Sequence, residues 1–187
     1  LILDLEGNGG GYLNVAIELA DEFLSRGKQI VYTQGSKQKR QDAISTLQGS
    51  FESGDLVILV DESSASASEI LSGAIQDWDR GVIVGRRTFG KGLVQRPLPL
   101  PDGSMIRLTV ARYYTPTGRC IQKPYEKGKG EDYAHDLIDR YNRGELMSAD
   151  SIHFPDSMKY STLANGRTVY GGGGIMPDVF IPMDTTR

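Results

Sequence analysis

The chain opens on an apolar run, residues 1–5, that stops at Gly7, Asn8, Gly9, Gly10 and Gly11. From Leu13 the apolar residues recur at helical spacing, through Ala16, Ile17, Ala20, Phe23 and Leu24, as far as Gly27. This predicts a short strand, a glycine turn and a helix buried along one face, with Gly27 just past its end. Residues 29–33 read as a second strand and 34–54 as a polar connection. Residues 56–60 form a continuous apolar run, as in a strand covered on both faces. From Ser66 the helical period returns at Ile70, Leu71, Ala74, Ile75 and Trp78; Gly81 closes it, and residues 82–84 follow as a strand. The alternation of strand and helix predicts an α/β domain with a mainly parallel sheet, while the runs 93–100 and 105–114, parted by Pro101, Asp102 and Gly103, predict a β-hairpin.

Beyond Lys123 the pattern changes. Residues 123–170 are polar and charged, with one short helix predicted at 133–141, and read as an insertion into the core. Four glycines, Gly171 to Gly174, then lead through Ile175, Met176, Pro177 and Asp178 to a last short strand at 179–181. At 187 residues, 39% apolar and 24% charged, the chain has the size and composition of one ordinary globular domain. It opens inside a strand, without a start methionine, which reads as a fragment of a longer protein. No apolar run approaches the roughly 20 residues of a membrane-spanning helix.

A net charge of −3, with the basic residues scattered apart from Lys37, Lys39 and Arg40, gives no footprint for nucleic acid. The single cysteine, Cys120, excludes an intrachain disulfide, and His135 and His153 lie in polar sequence without partners at ligand spacing. No metal or other cofactor is expected.

Candidate chemistry lies where strands end. The turn of residues 6–11 has glycines that permit positive φ and leave amides free at a helix start; it serves either chain reversal or an anion. The turn 61–69 carries four serines, and Ser66 with Glu69 three residues on has the spacing of a capping box. Ser66 is therefore a helix cap or, if a base takes its proton, a nucleophile. Lys91, flanked by Gly90 and Gly92, is the candidate base or else an exposed turn lysine. As a base it needs burial to bring its pKa down from about 10.4.

At this point five blocks, in order over nearly the whole chain, resemble the C-terminal processing (tail-specific) serine peptidases. They are Leu3-Asp4-Leu5 with Gly9-Gly10-Gly11; Ser64-Ala65-Ser66-Ala67-Ser68-Glu69; Thr88-Phe89-Gly90-Lys91-Gly92 with Val94-Gln95; residues 109–116; and Gly174-Ile175 with Pro177-Asp178. The resemblance implies a crotonase-like or ClpP-like β/α spiral core and a Ser-Lys dyad, Ser66 as nucleophile and Lys91 as general base, working through an acyl-enzyme. Gln95 matches the position that orients the lysine amine. The oxyanion hole is expected from the amides of Ala67 and Gly10, with Gly11 next, and Asp77 matches a carboxylate implicated in some members. Where the family commonly has arginine and an acid, this chain has Glu6 and Arg86; the double inversion predicts that the two face each other as an ion pair.

The resemblance also implies that residues 1–187 are a peptidase core with an upstream PDZ domain and a protein or peptide substrate with an unstructured C-terminus. A cell-envelope location, periplasmic or exported, goes with it. The rival readings are a peptide-binding pseudoprotease with an idle dyad and a crotonase-type acyl-CoA enzyme.

Overall fold

The computed structural model describes residues 1–46, 49–125 and 130–185. The first apolar run forms β1 (Ile2–Asp4) and the first helix α1 (Leu13–Asp21). Next come β2 (Gln29–Gln34), β3 (Gln41–Ile44), β4 (Val57–Val60), α2 (Ala67–Asp77) and β5 (Val82–Gly85). β6 (Leu93–Pro99) and β7 (Met105–Tyr114) follow, then α3 (Gly130–Asn142), β8 (Lys159–Ser161), β9 (Thr168–Tyr170) and β10 (Val179–Phe180).

The strands form two four-stranded sheets. One is parallel in the order β1-β4-β5-β10, and the other runs β3-β2-β7-β6 with antiparallel neighbours. The parallel sheet is the expected one, and β4 sits at its centre, as its unbroken apolar run requires. β2 departs from expectation, because it leaves the parallel set and pairs antiparallel with β3 and β7. β3 falls inside the stretch read as a polar connection; it is an edge strand with mostly exposed side chains, so it carries no hydrophobic alternation to betray it. β6 and β7 pair antiparallel from Leu93↔Arg112 to Pro99↔Met105, with a register shift at Val94/Gln95.

Ile30 of β2, Ile58 of β4, Ile75 of α2 and Ile83 of β5 are fully buried and belong to one core cluster with Leu24 and Ala20. Each such side chain contributes about 1.5–3 kcal/mol of burial free energy. α2 departs from the one-faced helix the spacing predicts: Ser68, Glu69, Ser72, Gln76 and Asp77 are buried together with its apolar residues. Polar groups taken out of water in this way need partners. The residues that supply them build the site at one end of the helix and an ion pair at the other.

The polar region 123–170 contains α3, which includes the predicted helical residues, and a small antiparallel pair, β8 with β9. Among the described residues no helix is long and apolar enough to cross a membrane.

Candidate active site

Ser66 stands where β4 has ended and α2 begins. Its φ of 56° and ψ of −110° place a non-glycine residue in the left-handed half of backbone space, a conformation that costs on the order of 1–3 kcal/mol and persists only when its surroundings over-determine it. The surroundings here do so. The Ala65 amide donates to the Asn8 carbonyl at 3.0 Å, and Ser68 Oγ donates to Asn8 at 3.0 Å. Ser64 Oγ donates to the Leu5 carbonyl at 2.7 Å, and the Ser66 amide donates to Glu69 Oε2 at 2.8 Å. Asn8, in the glycine turn, thus ties the end of β1 to the start of α2. The outline of a capping box is present, with the Ser66 amide on the Glu69 carboxylate at 2.8 Å, and the Glu69 amide also bonds the Ser66 carbonyl at 3.0 Å.

Gly10 lies against this turn. With φ at +93°, a Cβ built on it would stand 2.5 Å from the Ala65 oxygen and 2.7 Å from the Ala67 nitrogen. Only glycine allows that approach. The amides expected to form an oxyanion hole are therefore neighbours, although the Gly10 N–H now donates to Asn8 Oδ1 at 2.9 Å. Gly11 is exposed, with open space where a Cβ would be. Leu5, Gly10, Tyr12, Val15, Ala67 and Leu71 are among the residues lining a cavity of about 160 Å³ beside the turn.

Lys91 comes from the loop between β5 and β6. Its amide donates to Glu69 Oε2 at 2.8 Å, the same oxygen that the Ser66 amide uses. Glu69 Oε1 in turn accepts from Thr88 Oγ1 and from the Gly90 amide, both at 2.6 Å. A fully buried carboxylate thus joins the serine turn to the lysine loop through four hydrogen bonds. Burial pushes the Glu69 carboxyl above the ordinary glutamate range, against the opposing pull of the donors from Thr88, Lys91, Gly90 and Ser66. The Lys91 side chain is exposed, and so is Gln95 on β6; among the described residues no hydrogen bond joins the Lys91 amine to Ser66 or Gln95.

Glu69 is the residue that sequence reasoning undervalued. The capping-box spacing pointed to it as a partner for helix amides, but nothing local showed that its second oxygen would collect a loop about twenty residues further on. Glu69→Gln keeps one oxygen and turns an NH₂ towards N–H donors that then lose their acceptor. The expected cost is about 1–3 kcal/mol of stability, measured by urea unfolding, together with slower reaction at Ser66.

Two expectations are corrected or relocated. Arg86 pairs with Glu62, Nε to Oε2 at 2.5 Å, and not with Glu6, which is exposed. The Arg86 amide bonds the Val60 carbonyl at 3.0 Å, which sets Arg86 alongside the turn that carries Glu62. Asp77 is buried at the opposite end of α2 from Ser66, where it accepts from Arg119 at 2.5 Å and from the Thr117 amide and hydroxyl at 2.9 and 2.8 Å. It stands about 16 Å along the helix from Ser66 at 1.5 Å per residue.

Residues 1–133 match the family described as peptidase family S41. Over 122 residues, 65% of its length, the chain is 44% identical to a carboxy-terminal-processing protease of Bartonella bacilliformis, and that match covers 28% of the relative. It is also 44% identical, over 66% of its length, to a chloroplastic C-terminal processing peptidase of Tetradesmus obliquus, of which 26% is covered. Among solved structures, a photosystem II D1 C-terminal processing protease superposes on 97% of the chain with a TM-score of 0.66 and 30% identity, over 34% of that protein. The chain thus spans roughly a quarter to a third of the length of these relatives. With the strained serine turn, the apposed Gly10 and the lysine loop all inside the matched segment, the chain belongs to peptidase family S41, among the C-terminal processing serine proteases.

Proposed function

We propose that this chain is the catalytic core of a serine endopeptidase that cleaves proteins near their C-termini through a Ser66–Lys91 dyad. The observation that carries the reading is the single Glu69 oxygen that accepts from the amides of both Ser66 and Lys91. A carboxylate fixed in this way sets nucleophile and base loop in one register, which proximity catalysis needs.

In the proposed reaction, Ser66 Oγ attacks the scissile carbonyl carbon while its proton passes to the Lys91 amine; because that side chain is exposed here, the burial a lysine base needs has to come from the bound substrate. The oxyanion of the tetrahedral intermediate is received by the Ala67 amide and by a glycine-turn amide, Gly10 first and Gly11 next. For Gly10 this requires its N–H to turn from Asn8 Oδ1. Collapse of the intermediate breaks the C–N bond, and the Lys91 ammonium returns the proton to the leaving amine. Water, deprotonated by the same lysine, then hydrolyses the acyl-serine to a carboxylate and free Ser66. Gln95 orients the amine as substrate fills the site. The cavity beside Gly10 offers apolar contact for a side chain of an extended substrate.

The chain folds, on this reading, as a crotonase-like or ClpP-like spiral core, supported by the parallel sheet and the superposition at TM-score 0.66. The longer relatives leave room for an upstream PDZ domain that delivers an unstructured C-terminus, and an exported, cell-envelope setting belongs to the same reading. The test is acylation of the full-length polypeptide by a fluorophosphonate probe. Labelling is expected on Ser66 and absent in Ser66→Ala. An unlabelled wild type would point instead to a pseudoprotease or to an acyl-CoA enzyme of the same fold.

A further inference from the structure

We propose that Arg140, on α3, is a positioning residue for the loop that carries Lys91, so that the part of the polar region beyond the family-matched segment helps to hold the site. The inference rests on the Ser66–Lys91 reading for its functional consequence. Its structural content stands on the contacts alone.

Residues 86–92 have little regular structure of their own, and their backbone groups are satisfied from two sides. From α2, Glu69 accepts from Gly90 and Lys91. From the other side, Arg140 donates through Nη1 to the Thr88 carbonyl at 3.1 Å and through Nη2 to the Arg87 carbonyl at 2.5 Å. The Lys123 amide donates to the Gly90 carbonyl at 2.9 Å, and Gln122 Oε1 accepts from the Gly92 amide at 3.0 Å. Gly90, at φ +88°, lets the two segments close up: a Cβ there would lie 3.0 Å from Lys123 Cβ. The loop is clamped, and the Lys91 side chain is what it projects.

A plain stability role accounts poorly for Arg140. It is 1% exposed, and its Nε lies 3.6 Å from Glu145 Oε2, a carboxylate that Arg87 and Arg143 also use. Burial beside the Arg87 guanidinium brings Arg140 down to about 10. Taking a charge out of water under such competition is costly, and an apolar side chain of similar volume would serve packing at least as well. What an apolar residue lacks is a planar fork that holds two successive carbonyls in one orientation. Arg140 lies beyond residue 133, where the family match ends.

The test compares Arg140→Met and Arg140→Lys with wild type in the full-length polypeptide. One readout is peptide cleavage, corrected for the folded fraction by circular dichroism. The other is amide hydrogen exchange, run in a Ser66→Ala background where no catalysis is needed. Arg140→Met is expected to lower kcat roughly 100-fold at an unchanged KM, the scale of a small misplacement of reacting groups. Exchange across 88–91 should rise at least about tenfold while the interior of α2 keeps its protection. Arg140→Lys, which retains the charge without the fork, should fall between the two, and it decides the matter by the same readouts if the methionine variant does not fold. Wild-type kcat in the substituted protein, or exchange rising equally in the loop and in α2, overturns the proposal. If wild type neither cleaves nor labels Ser66, the Ser-Lys reading fails by itself, and the exchange measurement still decides whether Arg140 holds the loop.

Discussion

Lys91→Ala should lower kcat for cleavage of an unstructured protein by about 10²- to 10⁴-fold, the loss expected of a positioned general base. At about 1.4 kcal/mol per factor of ten this is roughly 2.8–5.6 kcal/mol of transition-state free energy. The substitution is unusually clean here. The fold uses the Lys91 backbone, whose amide bonds Glu69, while the side chain is exposed. Alanine keeps that amide, so the change in stability should stay within about 0.5 kcal/mol, as for other surface replacements. Thermal melting alongside the kinetics checks this. Activity within tenfold of wild type would assign the proton transfer to another group and remove Lys91 from the mechanism.

Asp77→Asn should have the opposite signature: a large loss of stability with little loss of chemistry. Asp77 is fully buried and Arg119 is 1% exposed; the carboxylate also accepts from both the amide and the hydroxyl of Thr117. An amide in its place leaves a buried guanidinium without its counter-charge, which costs about 3–5 kcal/mol. Urea unfolding should show this as a lower midpoint at unchanged slope. Because Asp77 and Ser66 stand at opposite ends of α2, the rate of Ser66 acylation per folded molecule should remain within about twofold of wild type, since distant sites act independently. Normal stability with a tenfold or greater fall in that rate would place Asp77 in the reaction instead. What the contacts show is a carboxylate held at the far end of the helix by Thr117 and Arg119.

The contrast between these two residues shows where sequence reasoning reaches its limit. Lys91 and Asp77 both matched family positions, and Lys91 read equally as an exposed turn lysine. Their local sequence does not separate a side chain that projects from a loop from one that is buried at a helix end. Burial separates them, and burial is a property of the packed chain. Glu6 and Arg86 failed for the same reason: complementary charge named a pair, whereas Glu62 sat nearer to Arg86 once β4 and β5 were in register.

By itself the sequence determined the order of the main strands and helices, the glycine turn, the turn at Ser66 and the lysine loop. Each is written in local terms that elementary sterics can read: hydrophobic period, the glycine at a positive φ, and serine-to-glutamate spacing. Tertiary structure alone decided that β2 and β3 join an antiparallel sheet and that Glu69 gathers Ser66 and Lys91 on one oxygen. It decided as well that Arg140, from a stretch legible only as polar, reaches the carbonyls of the lysine loop. These are contacts between residues far apart in the chain. They are set by which buried polar groups must find partners once the core has closed, and no local pattern records that choice.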